Sequence, residues 1–162
     1  MYFKPHAACI VPEKRQEITT EGGLDVVGQS NRLREICGEL SNIGSRVSLF
    51  IEADEAQITA AAELGVPVIE IHAGAYSDAN TEDRPAELEK IKNGIKIATN
   101  IGLECHVGHG LNYQNVEKIA EMREVAELNI GHFLIGEAVF SGLGNSIRRM
   151  RELIDNARVQ QE

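Results

Sequence analysis

Tryptophan is absent from this 162-residue chain, and aromatic residues make up only 4% of it. The apolar interior must therefore be aliphatic, since 43% of the residues are hydrophobic. Interiors of Ile, Val, Leu and Ala are typical of buried parallel strands covered by helices. A chain of this length and composition is expected to form a single domain, residues 1–162, with a sizeable core.

Cysteine is scarce as well. Cys9, Cys37 and Cys105 are odd in number and far apart, and no CxxC motif occurs. This usage favours a reducing compartment. Residues 1–12 lack the pattern of a secretory signal peptide. We therefore expect a cytoplasmic protein.

Long apolar runs and clusters of basic residues are also missing. No stretch approaches the ~20 apolar residues of a membrane span, so no membrane partner is expected. The chain carries 25 acidic and 16 basic residues, a net charge of −9, which argues against nucleic-acid binding. Small anionic substrates remain compatible, because a few cations and helix N-termini can bind phosphate inside an acidic protein.

Short apolar runs alternate with helical patterns five times along the chain. Strands are predicted at residues 7–11, 47–51, 66–72, 105–109 and 128–130. Gly44, Gly65 and Gly102 each end a predicted helix shortly before a strand. Asp54 and Asn145 are predicted helix N-caps. This order is typical of βα units in a parallel sheet.

Five βα units fit either an open doubly wound sheet or part of a (β/α)8 barrel. The GxGxxG fingerprint of dinucleotide-binding sheets is absent after the first strand. The last two strands end in glycine and histidine, and the second is followed by a short helix, as in the phosphate sites of barrels. These features favour an α/β fold of the TIM-barrel type. A whole barrel takes roughly 250 residues, so we predict a partial barrel lacking about three units.

His109 and Glu70 are the leading candidates for acid–base chemistry. His109 lies between two glycines at a strand end, where a ligand can approach closely. Glu70 lies within a strand, on the same face as Val68 and His72, and a buried carboxylate is costly unless it is paired. The alternatives are structural: a helix cap or turn for His109, and a partnership with His72 or an arginine for Glu70.

Other candidates carry weaker signals. His106 and His109 are predicted on opposite faces of one strand, and no HExxH motif or cysteine pair accompanies them, so no metal site is expected. Gly131 and His132 offer backbone N–H groups at a helix start, a site for phosphate or simply an ordinary turn. The long polar loop 12–23 is either functional or merely solvated.

These stretches together resemble the pyridoxine 5'-phosphate synthase family. The similar segments follow the family order through nearly the whole chain: 11–17 (VPEKRQE), 19–25 (TTEGGLD), 47–51 (VSLFI), 69–72 (IEIH), 108–111 (GHGL) and 127–132 (ELNIGH). The resemblance implies a (β/α)8 barrel that forms homo-oligomers and needs no metal or organic cofactor. It implies a transferase-class, ring-closing enzyme of vitamin B6 biosynthesis.

The implied reaction condenses 3-amino-2-oxopropyl phosphate with 1-deoxy-D-xylulose 5-phosphate. Its products are pyridoxine 5'-phosphate, phosphate and water. By resemblance, His109 is the proton donor and Glu70 stabilises a transition state. The implied substrate-binding residues are Thr19 for the deoxyxylulose phosphate and, for the aminoketone phosphate, Gly110, Gly131 and His132.

The resemblance begins at the family's fourth strand, and the first three βα units, which carry further acid–base and phosphate-binding residues, have no counterpart. We therefore expect either a fragment or a chain completed by another chain. One alternative function is an inactive fragment that retains only phosphate binding or oligomerisation. Another is a different phosphosugar isomerase or lyase on a partial barrel.

Overall fold

The fold is built on one parallel sheet, as a computed structural model describing residues 3–12 and 22–159 shows. Its strands lie in sequence order, each parallel to its neighbours. They are β1 (Ala7–Ile10), β2 (Arg46–Ile51), β3 (Val68–His72), β4 (Glu104–Gly108) and β5 (Val125–Asn129). The predicted α/β fold of five parallel βα units is confirmed.

Helices connect the strands. They are α1 (Ser30–Asn42), α2 (Glu55–Glu63), α3 (Gly74–Asp78), α4 (Arg84–Asn100), α5 (Val116–Ala120), α6 (His132–Ser141) and α7 (Leu143–Val159). None of the helices in the described ranges is both long enough and apolar enough to span a membrane.

The two faces of the sheet differ in chemistry. Helices α1, α2 and α4 pack on one face, where Ile69 and Ile71 are fully buried in the aliphatic core. Side chains alternate along a strand, so Glu70 and His72 lie on the opposite face, as predicted. That second face carries polar groups, and the candidate site residue Glu70 lies there.

The predicted helix ends are largely confirmed. Asp54 caps α2, because its side chain accepts a hydrogen bond of 3.1 Å from Gln57 N. Gly44, Gly65 and Gly102 follow helices and have φ values of 87°, 76° and 87°. Glycine adopts this left-handed conformation without steric cost, so each helix stops there and the next strand begins within a few residues.

Asn145 is not the N-cap of the last helix, contrary to the prediction. Helix α7 begins two residues earlier, at Leu143. Asn145 lies inside the helix, and its Nδ2 donates a hydrogen bond of 2.8 Å to the carbonyl of Ser141. Its Oδ1 accepts a hydrogen bond of 2.9 Å from Arg148 Nη1, a side-chain donor, and not from a backbone N–H group as an N-cap would.

Two further elements differ from the predicted pattern. Strand β5 begins at Val125, three residues before the predicted start, because Val125 is fully buried and pairs with Cys105 of β4. The short helix α3 was not predicted, since its five residues are too few to show helical periodicity. It follows β3 directly and lies beside the candidate site.

Candidate active site

A cavity of about 860 Å³ lies at the carboxyl ends of β3, β4 and β5. Parallel strands end at the same edge of a sheet, so residues that follow different strands meet there. The cavity brings together five of the six predicted site residues: Glu70, His109, Gly110, Gly131 and His132. The sixth, Thr19, lies outside the described residues, as does most of the predicted loop. Convergent polar groups in a partly apolar cleft are typical of small-molecule sites.

His109 follows directly on β4 in an unusual backbone conformation. Its φ of 74° is the one positive value among the non-glycine residues that the structure describes. This conformation costs on the order of 1–2 kcal/mol, and such strain occurs mostly at functional positions. The imidazole contacts the rings of Phe50 and His72, with centroid distances of 6.3 and 4.8 Å.

Glu70 is a buried carboxylate in the wall of the same cavity, with 9% of the residue exposed. Its Oε2 accepts hydrogen bonds from Asn129 Nδ2 at 2.9 Å and from Cys9 Sγ at 3.6 Å. The structural alternative was an ion pair of Glu70 with His72 or with an arginine. No such pair is found among the described residues. Two other strands hold the carboxylate instead.

The environment of Glu70 changes its acidity. Burial raises the pKa of the carboxyl, and the hydrogen bonds from Cys9 and Asn129 offset part of that rise. A carboxyl with a raised pKa exchanges protons closer to neutral pH than an exposed glutamate does. Glu70 can therefore stabilise positive charge in its ionised form and act as a proton donor in its neutral form.

The backbone at Gly108 makes room for Glu70. A Cβ atom at this position would collide with Glu70 Oε1 and would lie 3.0 Å from Asn129 Cβ. The carboxylate therefore packs directly on the β4 backbone, one residue before His109. This close approach explains why glycine occupies the last position of the strand.

Gly131 and His132 start helix α6 at the mouth of the cavity. Gly131 is the N-cap residue, and no side chain in the described part of the chain caps this helix end. The first N–H groups of a helix have no intrahelical acceptor, and the helix dipole is positive there. Both residues are exposed and line the cavity, so an anionic group of a ligand can reach these donors.

His106 does not lie on the opposite face from His109, contrary to the prediction. It pairs in register with Glu70 of β3, and β4 ends before His109. The alternation of a strand stops there, and the left-handed turn directs the His109 ring to the same side. His106 Nε2 lies 2.8 Å from Glu104 Oε1, and Nδ1 lies 3.4 Å from Glu127 Oε1.

The described residues do not form a metal site. Within residues 3–12 and 22–159, no group of three or more His, Cys, Asp or Glu side chains is arranged to hold a metal ion. The glutamates near His106 are instead part of an ion-pair network that includes Arg46, whose Nη2 lies 2.6 Å from Glu104 Oε2.

Sequence reasoning missed Asn129 and the pairing of His72 with Glu52. Asn129 lies opposite Gly108 in the β4–β5 register, and it orients Glu70. Its position within a short predicted strand, two residues before Gly131, was a usable signal, since the ends of parallel strands carry site residues. The contact of His72 with Glu52 joins residues 20 positions apart, and no local pattern indicates it.

We expect the Glu70→Gln variant to be more stable than the native chain at neutral pH. A folded-state pKa above the unfolded value means that ionised Glu70 destabilises the fold, and this penalty grows as pH rises through the folded pKa. The neutral amide keeps an acceptor for Asn129 and avoids the penalty. Urea unfolding at pH values from about 4 to about 8 measures the difference, which should vanish at the acidic end.

The exposed Glu39 on α1 provides a matched control. The Glu39→Gln change removes the same charge without relieving any burial, so its effect should vary little over the same pH range. Equal pH dependence in both variants would contradict the argument that burial raises the Glu70 pKa.

Comparisons with known proteins match this chain to one family. The model of the family described as pyridoxal phosphate biosynthesis protein PdxJ matches residues 1–156. Curated relatives named pyridoxine 5'-phosphate synthase include those of Zymomonas mobilis, 55% identical over 99% of this chain, and of Caulobacter sp., 54% identical over 97% of it. A third, from Jannaschia sp., is 56% identical over 95% of this chain.

The chain spans less than two thirds of these relatives. It covers 62% of the Zymomonas protein and 64% of each of the other two. A solved structure, described as the crystal structure of the Amycolatopsis orientalis BexX/CysO complex, has a TM-score of 0.61 and 20% identity. The match covers 90% of this chain and 55% of that one, and at this identity it indicates a shared fold only.

The family match thus covers the segments that carry Glu70, His109, Gly131 and His132, the residues that the structure gathers around one cavity. The sequence resemblance is thereby confirmed, and the chain belongs to the family of the pyridoxal phosphate biosynthesis protein PdxJ.

Proposed function

We propose that this chain acts in the synthesis of pyridoxine 5'-phosphate, from 3-amino-2-oxopropyl phosphate and 1-deoxy-D-xylulose 5-phosphate. The observation that carries the proposal is the meeting of a histidine, a buried carboxylate and a helix N-terminus in one cavity of a chain from this family. Such a ring-closing condensation needs proton transfer and sites for two phosphates, and these groups can supply both.

His109 is the proposed proton donor. Imine formation and dehydration both require a proton to reach a departing oxygen, and histidine transfers protons readily near neutral pH. Glu70 is proposed to stabilise positive charge as it develops on the nitrogen-bearing intermediate. Its two hydrogen bonds, from Asn129 and Cys9, hold the carboxylate in place for this purpose.

Gly110, Gly131 and His132 are proposed to bind 3-amino-2-oxopropyl phosphate. The uncapped start of α6 supports this assignment, since its N–H groups lie at the cavity and favour an anion. Thr19 is proposed to bind the phosphate of deoxyxylulose. That residue lies outside the described part of the chain, so its role rests on the family resemblance.

We further propose that the five βα units are part of a (β/α)8 barrel and that the protein forms homo-oligomers. The single parallel sheet in sequential order suits a barrel segment. The apolar surface of α6 supports oligomerisation, since Ile135, Val139 and Phe140 are 62%, 80% and 89% exposed. Exposed patches of this kind mark interaction surfaces.

The direct test is an assay of pyridoxine 5'-phosphate formation by the purified 162-residue chain. Both substrates are supplied together and each is also omitted in turn, and the mass in solution is measured alongside. We expect product only when both substrates are present, and a mass above that of the monomer.

Two other outcomes would overturn the proposed activity. A folded chain that binds inorganic phosphate but forms no product would favour an inactive fragment that retains only binding. Conversion of a sugar phosphate without any requirement for 3-amino-2-oxopropyl phosphate would favour an isomerase or lyase.

A further inference from the structure

His72 ends β3 beside His109, and a carboxylate holds one of its ring nitrogens. Nδ1 lies 2.7 Å from Glu52 Oε1, and the same oxygen accepts a hydrogen bond of 2.8 Å from Gly23 N. The hydrogen bond with His72 lowers the pKa of Glu52, and the one from Gly23 lowers it further. An ionised carboxylate can only accept hydrogen bonds, so Nδ1 of His72 carries a proton.

The second nitrogen of His72 is buried on the side that faces His109. The side chain is 8% exposed, and Nε2 has no hydrogen-bond partner in the described parts of the chain. A Cβ atom on Gly74 would collide with this nitrogen and would lie 3.4 Å from His109 Cδ2. Both imidazoles therefore border one small space, which glycine leaves open at position 74.

Ring packing keeps the two imidazoles together. Their planes meet at 62° in an edge contact with centroids 4.8 Å apart, and Phe50 packs against His72 at 5.1 Å. A buried polar atom without a partner is rare in a folded protein and calls for an explanation. In the tautomer with its proton on Nδ1, the His72 ring presents the lone pair of Nε2 towards this space.

We propose that His72, held by Glu52, is a positioning residue for His109. It orients the His109 ring. Through the lone pair of Nε2, it also favours the form of His109 that carries the proton to be donated. This inference rests on the proposed role of His109 as proton donor. Among the described residues, the other titratable groups that line the cavity with His109 are Glu70, Asp78 and His132, and the variants below leave them unchanged.

His106 provides a matched control. It is also a buried histidine, 7% exposed, on the same face of the sheet, and a glutamate likewise holds it. Both of its nitrogens face glutamates, and it does not line the cavity. Phenylalanine at position 72 or 106 keeps a ring of similar size and removes both nitrogens.

The experiment compares the native 162-residue chain with His72→Phe, Glu52→Gln and His106→Phe. One readout is the ¹⁵N chemical shifts of the His109 imidazole at a single pH, which report its tautomer and protonation without any need for turnover. The other is kcat and KM for pyridoxine 5'-phosphate formation. We expect the first two variants to shift the His109 resonances and to lower kcat on the order of tenfold, with KM changed by less than about twofold.

His106→Phe should leave the His109 resonances unchanged. It is not a control for kcat, because His106 lies beside Glu70 and its charge lowers the pKa of that carboxyl. Unchanged His109 resonances in both His72→Phe and Glu52→Gln, or an equal shift in His106→Phe, would overturn the inference. If His72→Phe does not fold, Glu52→Gln decides, because the Glu52 side chain is 49% exposed and its replacement leaves His72 in place. Failure of the proposed function can be told apart from failure of this inference. In that case the native chain shows no turnover, while the His109 resonances still report the effect of His72.

Discussion

Pyridoxine 5'-phosphate formation is expected to fall by about 10²–10⁴-fold when His109 is replaced by asparagine. The proposed reaction needs a proton delivered at the cavity, and the asparagine amide cannot supply one. Asparagine is preferable to alanine here because it tolerates the positive φ of 74° at this position. The backbone, and with it Gly110, should therefore stay in place.

Initial rates in the active form of the protein measure this effect, and calorimetric binding of 3-amino-2-oxopropyl phosphate serves as the companion measurement. Binding should change little, because the proposed phosphate donors lie at Gly110, Gly131 and His132. His6→Asn, a change at an exposed histidine that does not line the cavity, is the matched control and should keep its rate. A rate for His109→Asn within about threefold of the native value would remove His109 as the proton donor.

The Gly108→Ala variant is expected to lose about 3 kcal/mol of unfolding free energy. The new methyl group would collide with Glu70 Oε1 and press on Asn129 Cβ at 3.0 Å. Neither neighbour can move cheaply, since the hydrogen bond between them holds a buried carboxylate. Urea denaturation at neutral pH gives the value.

Gly38 provides the control for this variant, because a Cβ there meets nothing within 4 Å. It lies within α1, so Gly38→Ala should raise stability by up to about 1 kcal/mol. A second comparison identifies the cause: in a Glu70→Ala background, Gly108→Ala should cost clearly less, because the colliding oxygen is gone. Equal costs in both backgrounds would show that Glu70 is not the obstacle.

Local sequence patterns were sufficient where one element alone decides the structure. The capping of α2 by Asp54 depends on a side chain and the N–H group three residues later. The glycine stops at Gly44, Gly65 and Gly102 depend on the backbone freedom of one residue. The alternation that separates Ile69 and Ile71 from Glu70 is a property of any strand.

The same patterns failed where the chain leaves regular structure. Alternation predicted opposite faces for His106 and His109, but β4 ends at Gly108 and the turn at His109 has a positive φ. Asn145 has the residue type of an N-cap, yet its amide bonds back to Ser141. In both cases the side chain follows a local backbone conformation that residue type and spacing do not specify.

The sequence by itself determined the family, the order of the five βα units, and five of the residues that meet at the cavity. Only the tertiary structure decided which side chains form hydrogen bonds with them. Asn129 reaches Glu70 across 59 positions of the chain, Cys9 across 61, and Glu52 reaches His72 across 20. Such pairs depend on strand register and on the convergence of several strands, and neither leaves a periodic signal in the sequence. The pKa of the buried Glu70 carboxyl and the contact between His72 and His109 therefore depend on the tertiary structure and cannot be derived from local sequence patterns.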